Sequence, residues 1–392
     1  MGMTKSVQNK EMAGTAPDTA ENTALEELDQ NVRQLAQDMD GQCKRCKMCE
    51  KECPLLKRWG MPGDFARALL SGELDPARAG DAAFECTLCG LCTQLCPVRG
   101  LQPHALFQAL REQAAAREPE RLHPYARLLR HERVGLSRTF SFFGIPKGAR
   151  RVFFPGCALP AARPETTWRT LERLCELDPD TGFVLHCCAK SSLMLGQQDV
   201  FQANGRDLLE RLERAGIEEL LVACPDCYSA LTRFASSLTI RTVYDVLAEV
   251  DPEPGPGLER IKTAVHDPCV LRGEKNVHQD VRTLLWNHGC SVSEMRHAHH
   301  KALCCGRGGG LAEARPELAD EWLRTRLDEA KGRDLAVYCA GCLQRLAPHA
   351  PTRHVLDILL DGAQAESARP VGVLEGYLNR LRLKRCAARK YA

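Results

Sequence analysis

The sequence predicts a multidomain α+β and α/β chain: a helical, metal-binding module followed by two copies of one α/β domain. Three observations carry this. A run of the form C-x-x-C-x-x-C-x-x-x-C-P occurs twice, at Cys43–Pro54 and Cys86–Pro97. From Arg150 onward, short β-rich segments alternate with longer amphipathic ones, the pattern of a mainly parallel sheet. Finally, a lone cysteine, an adjacent cysteine pair and a C-x-x-C recur in the same order, with offsets of 112 (Cys157 to Cys269), 117 (Cys187 to Cys304) and 115 (Cys224 to Cys339). The segment Arg241–Leu247 matches Arg353–Leu359, again at 112. Two halves with this shared order point to an internal duplication.

Length and composition bound the possibilities. With 392 residues, 44% hydrophobic and 27% charged, the chain has ample core for two or three domains. A net charge of +2 leaves no global basic field for nucleic acid. The 21 cysteines are many for this size. Their C-x-x-C grouping suits metal better than disulfides, and no signal peptide follows Met1. No apolar run reaches membrane-spanning length. The expectation is a cytoplasmic, metal-loaded protein. Met1-Gly2 with Ser6 fits the myristoylation pattern, a short motif that occurs widely by chance.

In chain order, residues 1–39 are expected to be disordered and then helical, with Leu25, Leu28, Val32 and Leu35 marking one amphipathic helix over Asn22–Met39. Residues 40–100 hold the two cysteine runs, which are similar to those of bacterial-type ferredoxins with two [4Fe-4S] clusters. That resemblance implies crossed ligand sets: Cys43, Cys46, Cys49 and Cys96 for one cubane, and Cys86, Cys89, Cys92 and Cys53 for the other. Zinc also takes four thiolates and is the competing reading. Helical text between the runs makes this an expanded module. Residues 101–149 form a helical connector (helices over 104–117 and 124–133) with eleven Lys/Arg against four Asp/Glu over 98–151; its basic face either docks a partner or is simply solvated.

Residues 150–250 and 258–362 are the two α/β copies, joined by the Pro/Gly-rich linker Asp251–Gly257. Strands are expected at 152–154, 183–186, 220–223, 263–265, 291–295 and 335–338. The helices between them are expected at 164–176, 199–214, 226–236, 277–288, 315–330 and 342–347. The cysteines follow strands, where loops of open α/β sheets gather to form sites. The tail, 363–392, has six Lys/Arg and no acid from Arg380 on, behind Val373, Leu374, Tyr377, Leu378 and Leu381 at helical spacing. Such an end suits an anionic membrane surface or a membrane subunit, with a solvated helix as the rival.

The two five-cysteine sets resemble the cysteine-rich CCG domain of heterodisulfide reductase catalytic subunits. They also resemble the iron–sulfur subunits of glycolate oxidase, lactate-utilisation complexes and anaerobic glycerol-3-phosphate dehydrogenase. The order here is similar to the D-type reductase subunit: a helical bacterial-type 2[4Fe-4S] ferredoxin module, then two duplicated α/β CCG domains. The resemblance implies one or two further [4Fe-4S] clusters, noncubane in the reductase branch. Their ligands would be Cys157, Cys187, Cys188, Cys224 and Cys227 in the first set, and Cys269, Cys304, Cys305, Cys339 and Cys342 in the second. The first set departs from the pattern at Cys187-Cys188-Ala189, where glycine lets backbone approach metal closely. The second set, Cys304-Cys305-Gly306, is intact and is the one expected to touch substrate.

Two functional classes follow. One is an iron–sulfur electron-transfer subunit of a membrane-associated or flavin-linked oxidoreductase, partnered by a flavoprotein or a haem- or quinone-linked membrane subunit. It sits in the cytoplasm or peripherally on the cytoplasmic membrane face. The other is a catalytic subunit that cleaves a small disulfide at noncubane clusters. No flavin or nicotinamide motif is present, so that cofactor belongs to a partner; Gly306-x-Gly308-Gly309-Gly310 lacks the context of a dinucleotide fingerprint. His186 and His266 lie just before ligand cysteines, where hydrogen bonds tune a cluster. His297, His299 and His300 are expected in a polar surface loop, with proton supply as the functional alternative. Cys175, Cys290 and Cys386 match no motif.

Overall fold

The computed structural model describes residues 28–234, 236–252 and 259–392. The expected disorder of residues 1–21, position Leu25 and most of the linker lie outside them. The first helix spans Gln30–Gln42 and buries Val32, Ala36 and Met39. It runs past the expected end at Met39 and stops at Cys43, the first cysteine of the runs. Short helices at Met48–Glu52, Pro54–Trp59, Pro62–Leu70, Pro76–Glu85 and Leu91–Leu95 complete the module. Proline opens three of them, and Asp75 caps Pro76–Glu85 by accepting from the backbone N–H of Ala77 (2.9 Å) and Arg78 (3.1 Å).

The connector differs from expectation. Its first helix, Pro103–Arg117, is a core element: Leu106, Phe107, Leu110 and even Arg111 are buried. A 3-10 turn at Pro119–Tyr125 leads to a second helix, Ala126–Leu136, where Arg127, Arg130 and Arg133 keep a basic surface.

Strands β1 (Phe142–Gly144), β2 (Arg151–Phe154), β3 (Gly182–Leu185), β4 (Glu219–Val222) and β5 (Thr239–Thr242) form one sheet in the order β1-β3-β2-β4-β5. Only β1 is antiparallel to its neighbour. Strands β6 (Ile261–His266), β7 (Cys290–Ser293), β8 (Asp334–Val337) and β9 (Thr352–His354) form a fully parallel sheet, β7-β6-β8-β9. With β1 set aside, the two orders are the same, which is the duplication in three dimensions. The strands read as unbroken apolar runs (Val152-Phe153-Phe154, Leu220-Leu221-Val222, Leu335-Ala336-Val337) because helices cover both faces. The short strands β1, β5 and β9 escape a reading based on apolar runs, since β5 and β9 are Thr/Arg/His-rich. The halves share one core, in which Tyr244 Oη donates to the Tyr338 carbonyl at 3.2 Å.

The tail forms a helix, Val373–Lys390, whose buried face is Gly376, Asn379, Arg380, Leu383 and Ala387. It is anchored on the first α/β copy: Asn379 Nδ2 donates to Ala161 O (2.9 Å) and Tyr391 Oη to Thr181 O (2.8 Å). Val373, Leu374 and Leu378 stay exposed, Leu374 at 73%. No helix among the described residues is long and apolar enough to cross a membrane.

Candidate metal centres

The cysteine runs close on themselves through left-handed backbone. Arg45 (φ 51°), Lys47 (φ 62°), Leu88 (φ 52°) and Gly90 (φ 72°) turn the two loops, at about 1–2 kcal/mol for each non-glycine residue. Arg45 holds the first turn through Asp40 (2.6 Å), Asp64 (2.6 Å) and the Gly63 carbonyl (3.2 Å). Cys43, Cys46, Cys49 and Cys96 line one small pocket, and Cys53, Cys86, Cys89 and Cys92 another. The fourth cysteine of each run thus sits with the first three of the other. Cys53 caps the helix Pro54–Trp59; Cys96 instead ends Leu91–Leu95 and leads into a turn, so only one of the two Cys-Pro pairs opens a helix. Cys46 faces solvent, whereas Cys86 is buried.

Such crowding is hostile to bare thiolates. Burial and the neighbouring sulfurs push Cys49 up to about 11, and burial pushes Cys86 up to about 12 against the pull of Arg111. A polycationic group relieves that repulsion, and sets of four converging sulfurs suit [4Fe-4S] clusters.

The ten other motif cysteines converge. Cys157, Cys187-Cys188 and Cys224/Cys227 follow β2, β3 and β4; Cys269, Cys304-Cys305 and Cys339/Cys342 follow β6, β7 and β8. All ten line a single cavity of about 480 Å³. Within the first set, Cys157 Sγ and Cys187 Sγ are 4.0 Å apart. Within the second, Cys305, Cys342 and a ring nitrogen of His266 lie within 4.8 Å of one another. Lys190, Asp226 and Arg307 stand on the cavity wall. Burial raises the Asp226 carboxyl and lowers the Lys190 ammonium, while Lys190 and Asp226 offset each other's shift.

Ala189 resolves the departure from the motif. It adopts the left-handed conformation at φ 54°, so an alanine Cβ fits there at some strain. Gly306 has no such latitude. At φ 90°, a Cβ on it would collide with the Ala319 carbonyl of the helix Pro316–Ala330. Gly308 and Gly309 press against the Thr87 and Cys86 carbonyls of the ferredoxin-type loop, where any Cβ would also collide.

Several positioning residues were invisible to motif reading. Arg111 is fully buried and donates to five carbonyls: Ala83 (2.7 Å), Phe84 (3.2 Å), Cys86, Met194 (2.7 Å) and Gly309 (2.8 Å). It ties the ferredoxin-type module to both α/β copies. Arg272 donates to the carbonyls of Cys89, Cys269 (3.1 Å) and Ala302, joining the second cubane loop to the second five-cysteine set. Asp267, two residues before Cys269, is wholly buried. It accepts from Arg282 (2.7 and 2.9 Å), Tyr338 Oη (2.6 Å) and the backbone N–H of His299 (2.6 Å). It thereby fixes the turn ahead of Cys304, and its hydrogen bonds and ion pair outweigh burial to hold its carboxyl well below the usual range.

His297 contradicts the surface-loop expectation. It is buried, with Nδ1 on Glu329 and Nε2 on Glu52 (3.1 Å), a link between the second copy and the ferredoxin-type module. Two acidic partners from distant segments drew it inward. His299 is half-buried and His300 exposed. His186 is buried, and its Nδ1 has no hydrogen-bond partner among the described residues. Cys290 is buried, Cys175 half-buried and Cys386 exposed, all outside the cavity lining.

Comparison with known proteins agrees with this arrangement. Residues 39–100 match the 4Fe-4S dicluster domain family, and residues 151–232 and 263–347 each match the cysteine-rich CCG domain family. The chain carries a 4Fe-4S dicluster domain followed by two CCG domains. Among curated proteins, it is 26% identical over 308 residues to a fumarate reductase (CoM/CoB) subunit of Methanothermobacter marburgensis, covering 71% of this chain and 61% of that protein. It is 24% identical over 352 residues to a dihydromethanophenazine:CoB–CoM heterodisulfide reductase subunit of Methanosarcina mazei, covering 76% and 86%. With the glycolate oxidase iron–sulfur subunit of Escherichia coli it shares 24% over 409 residues, covering 87% and 98%. The chain thus spans about three-fifths of the first of these relatives and nearly all of the third. By name these relatives are subunits of a fumarate reductase, a heterodisulfide reductase and a glycolate oxidase.

Proposed function

We propose that the chain is the electron-transfer subunit of an oxidoreductase complex, passing single electrons between a flavoprotein or a haem- or quinone-linked membrane subunit and its own cysteine-rich sites. Cys43, Cys46, Cys49 and Cys96 would hold one [4Fe-4S] cubane and Cys53, Cys86, Cys89 and Cys92 the other. The two five-cysteine sets would hold one or two more clusters. Clusters bound there supply one-electron transfer over a range of potentials. The observation that carries the reading is the contact between the second ferredoxin-type loop and the second five-cysteine set. The path begins at exposed Cys46 and continues to the pocket of half-buried Cys53 and buried Cys86. It reaches Cys304 through the Gly308–Gly309 contact and Arg272. Exposed Lys44 and Lys47 line the pocket at this end, a face suited to an acidic redox partner.

One observation favours a second reading, disulfide reduction. Both five-cysteine sets open on the same cavity rather than on separate ones. A small disulfide placed there would take two electrons and two protons and leave as two thiols. Adding small organic disulfides to the reduced, anaerobically purified protein separates the readings. A new paramagnetic signal together with two thiols released per disulfide supports cleavage. Unchanged spectra with electron transfer to a quinone or flavin acceptor leave the relay alone.

For the membrane side, the exposed Val373, Leu374 and Leu378, followed by exposed Arg382, Arg385 and Arg389 on the same helix, suit an anionic bilayer face. The double variant Leu374→Glu/Leu378→Glu is expected to lose co-sedimentation with phosphatidylglycerol vesicles at low salt. Wild-type protein that stays in the supernatant would refute the placement.

A further inference from the structure

We propose that Arg380, carried by the tail helix, is the counter-charge of the first five-cysteine set: its guanidinium favours the reduced form of the cluster there and raises that cluster's potential. The proposal rests on the reading that Cys157, Cys187, Cys188, Cys224 and Cys227 hold a cluster.

In the sequence, Arg380 is the first member of a basic run. The structure separates it from the others: Arg382, Arg385 and Arg389 are exposed, whereas Arg380 is buried. A guanidinium taken out of water needs an anion or acceptors around it. Among the described residues no carboxylate pairs with Arg380, and its buried Nη1 has no hydrogen-bond partner. The Phe140 ring, 5.0 Å from the guanidinium carbon, attracts the charge but does not neutralise it. Glu132, the buried carboxyl of the neighbouring helix Ala126–Leu136, is taken up by the hydroxyl and the backbone N–H (3.0 Å) of Ser192.

What the guanidinium faces is sulfur. A Cβ on Gly135 would lie 3.3 Å from Arg380 Nη2 and 3.7 Å from Cys187 Sγ, so both crowd the same point. Cys187 Sγ is in turn 4.0 Å from Cys157 Sγ. The Cys187 hydrogen bond, then His131 and then the Arg380 charge hold the Cys157 thiol well below its ordinary value against burial. The tail fixes this placement from two sides. Helix Ala158–Ala162 starts directly after Cys157, and the tail packs on it through Gly376 and through Asn379, which donates to the Ala161 carbonyl. Tyr377 stacks on His131, with ring centroids 5.9 Å apart, and Lys384 Nζ donates to the carbonyls of Arg138 (2.6 Å) and Thr139 (3.0 Å). One turn of the tail, Gly376–Arg380, therefore touches both the helix that follows Cys157 and the helix that carries His131. Arg380 stands outside the lining of the shared cavity, so it acts on the cluster and not on a substrate. A positive charge behind the sulfurs favours the more negative, reduced state, and net charge is one of the levers on iron–sulfur potentials.

Potentiometry followed by EPR on the full-length, anaerobically purified protein tests this. Cys157→Ser identifies the first-set signal as the one it removes. At a fixed poise, the reduced-to-oxidised ratio of that signal should fall about tenfold in Arg380→Met, equivalent to about 59 mV for a one-electron couple. Arg380→Gln, which keeps N–H donors without the charge, should show a fall of similar size. Arg380→Lys, which keeps the charge, should recover most of the ratio. A wild-type ratio in Arg380→Met or Arg380→Gln, or an equal fall in Arg380→Lys, would overturn the proposal and leave the cluster reading standing. If the neutral variants fail to take up iron, pulsed EPR on the wild type with 15N-labelled arginine decides. A weak 15N coupling to the first-set signal that is lost in Arg380→Lys supports the proposal; no coupling overturns it. Wild-type iron content and signals in Cys157→Ser would overturn the cluster reading of the first set, and the proposal with it.

Discussion

Gly306→Ala is expected to strip the second five-cysteine set of its iron while the first set and both ferredoxin-type sets remain loaded. The residue holds φ 90°, and the new Cβ would strike the Ala319 carbonyl, which belongs to a helix and cannot simply rotate away. The left-handed penalty alone is about 1–2 kcal/mol for alanine. The larger consequence is displacement of the adjoining Cys304-Cys305 pair, because both sulfurs must meet their partners Cys269 and Cys342 to hold metal. The reciprocal change, Ala189→Gly, meets no such obstacle: alanine already sits at φ 54°, so glycine relieves strain at a modest entropic cost. It should change stability by no more than about 1 kcal/mol and leave iron content unaltered. Iron quantification and EPR on the two variants check this; equal losses in both would contradict it.

Arg111→Met is expected to be the most destabilising single change away from the cysteines. It removes a donor from five carbonyls, of which Ala83 keeps the Cys86 N–H; two of the others are the Cys86 and Gly309 backbones that meet between the second ferredoxin-type set and the second five-cysteine set. At about 1–3 kcal/mol for each buried acceptor left without a donor, and with water able to rescue some, a loss on the order of 5 kcal/mol follows. That approaches the entire stability of an ordinary domain. Arg111→Lys should rescue little, since an ammonium has three donors and no planar fork. Thermal unfolding followed by the visible absorption of the bound clusters reads the effect, with cluster bleaching expected at a distinctly lower temperature in both variants. Wild-type behaviour in Arg111→Met would show that the three-way junction is held by packing alone.

Much of this architecture is legible in the residues themselves. The apolar runs that form β2, β4 and β8 identify buried parallel strands, and the equal order of cysteines reveals the duplication by spacing alone. The crossed grouping of Cys96 with Cys43 and of Cys53 with Cys86 appears in the structure where the ferredoxin-like spacing suggests it. Other features depend on contacts between distant segments, which no local period encodes. Arg111 looks like one more basic residue of a connector helix until three domains close over it. His297 looks like part of a polar loop until Glu52 and Glu329, far away in sequence, draw it inside. The antiparallel β1 strand is an addition from the connector to one copy only. The tail's apolar spacing is real, yet the helix docks by Gly376, Asn379, Leu383 and Ala387 and leaves Leu374 outside. Above all, nothing in the spacing of the two five-cysteine sets states that they share a cavity.

The central claim is that the ferredoxin-type sets and the five-cysteine sets hold iron–sulfur clusters. Iron and acid-labile sulfide per chain, measured on anaerobically purified protein together with its EPR spectrum, test it most directly. The expected result is brown protein with about 12 to 16 iron atoms and matching sulfide, and signals beyond those of two cubanes. Colourless protein loaded with zinc, or iron and signals for two cubanes alone, would contradict it.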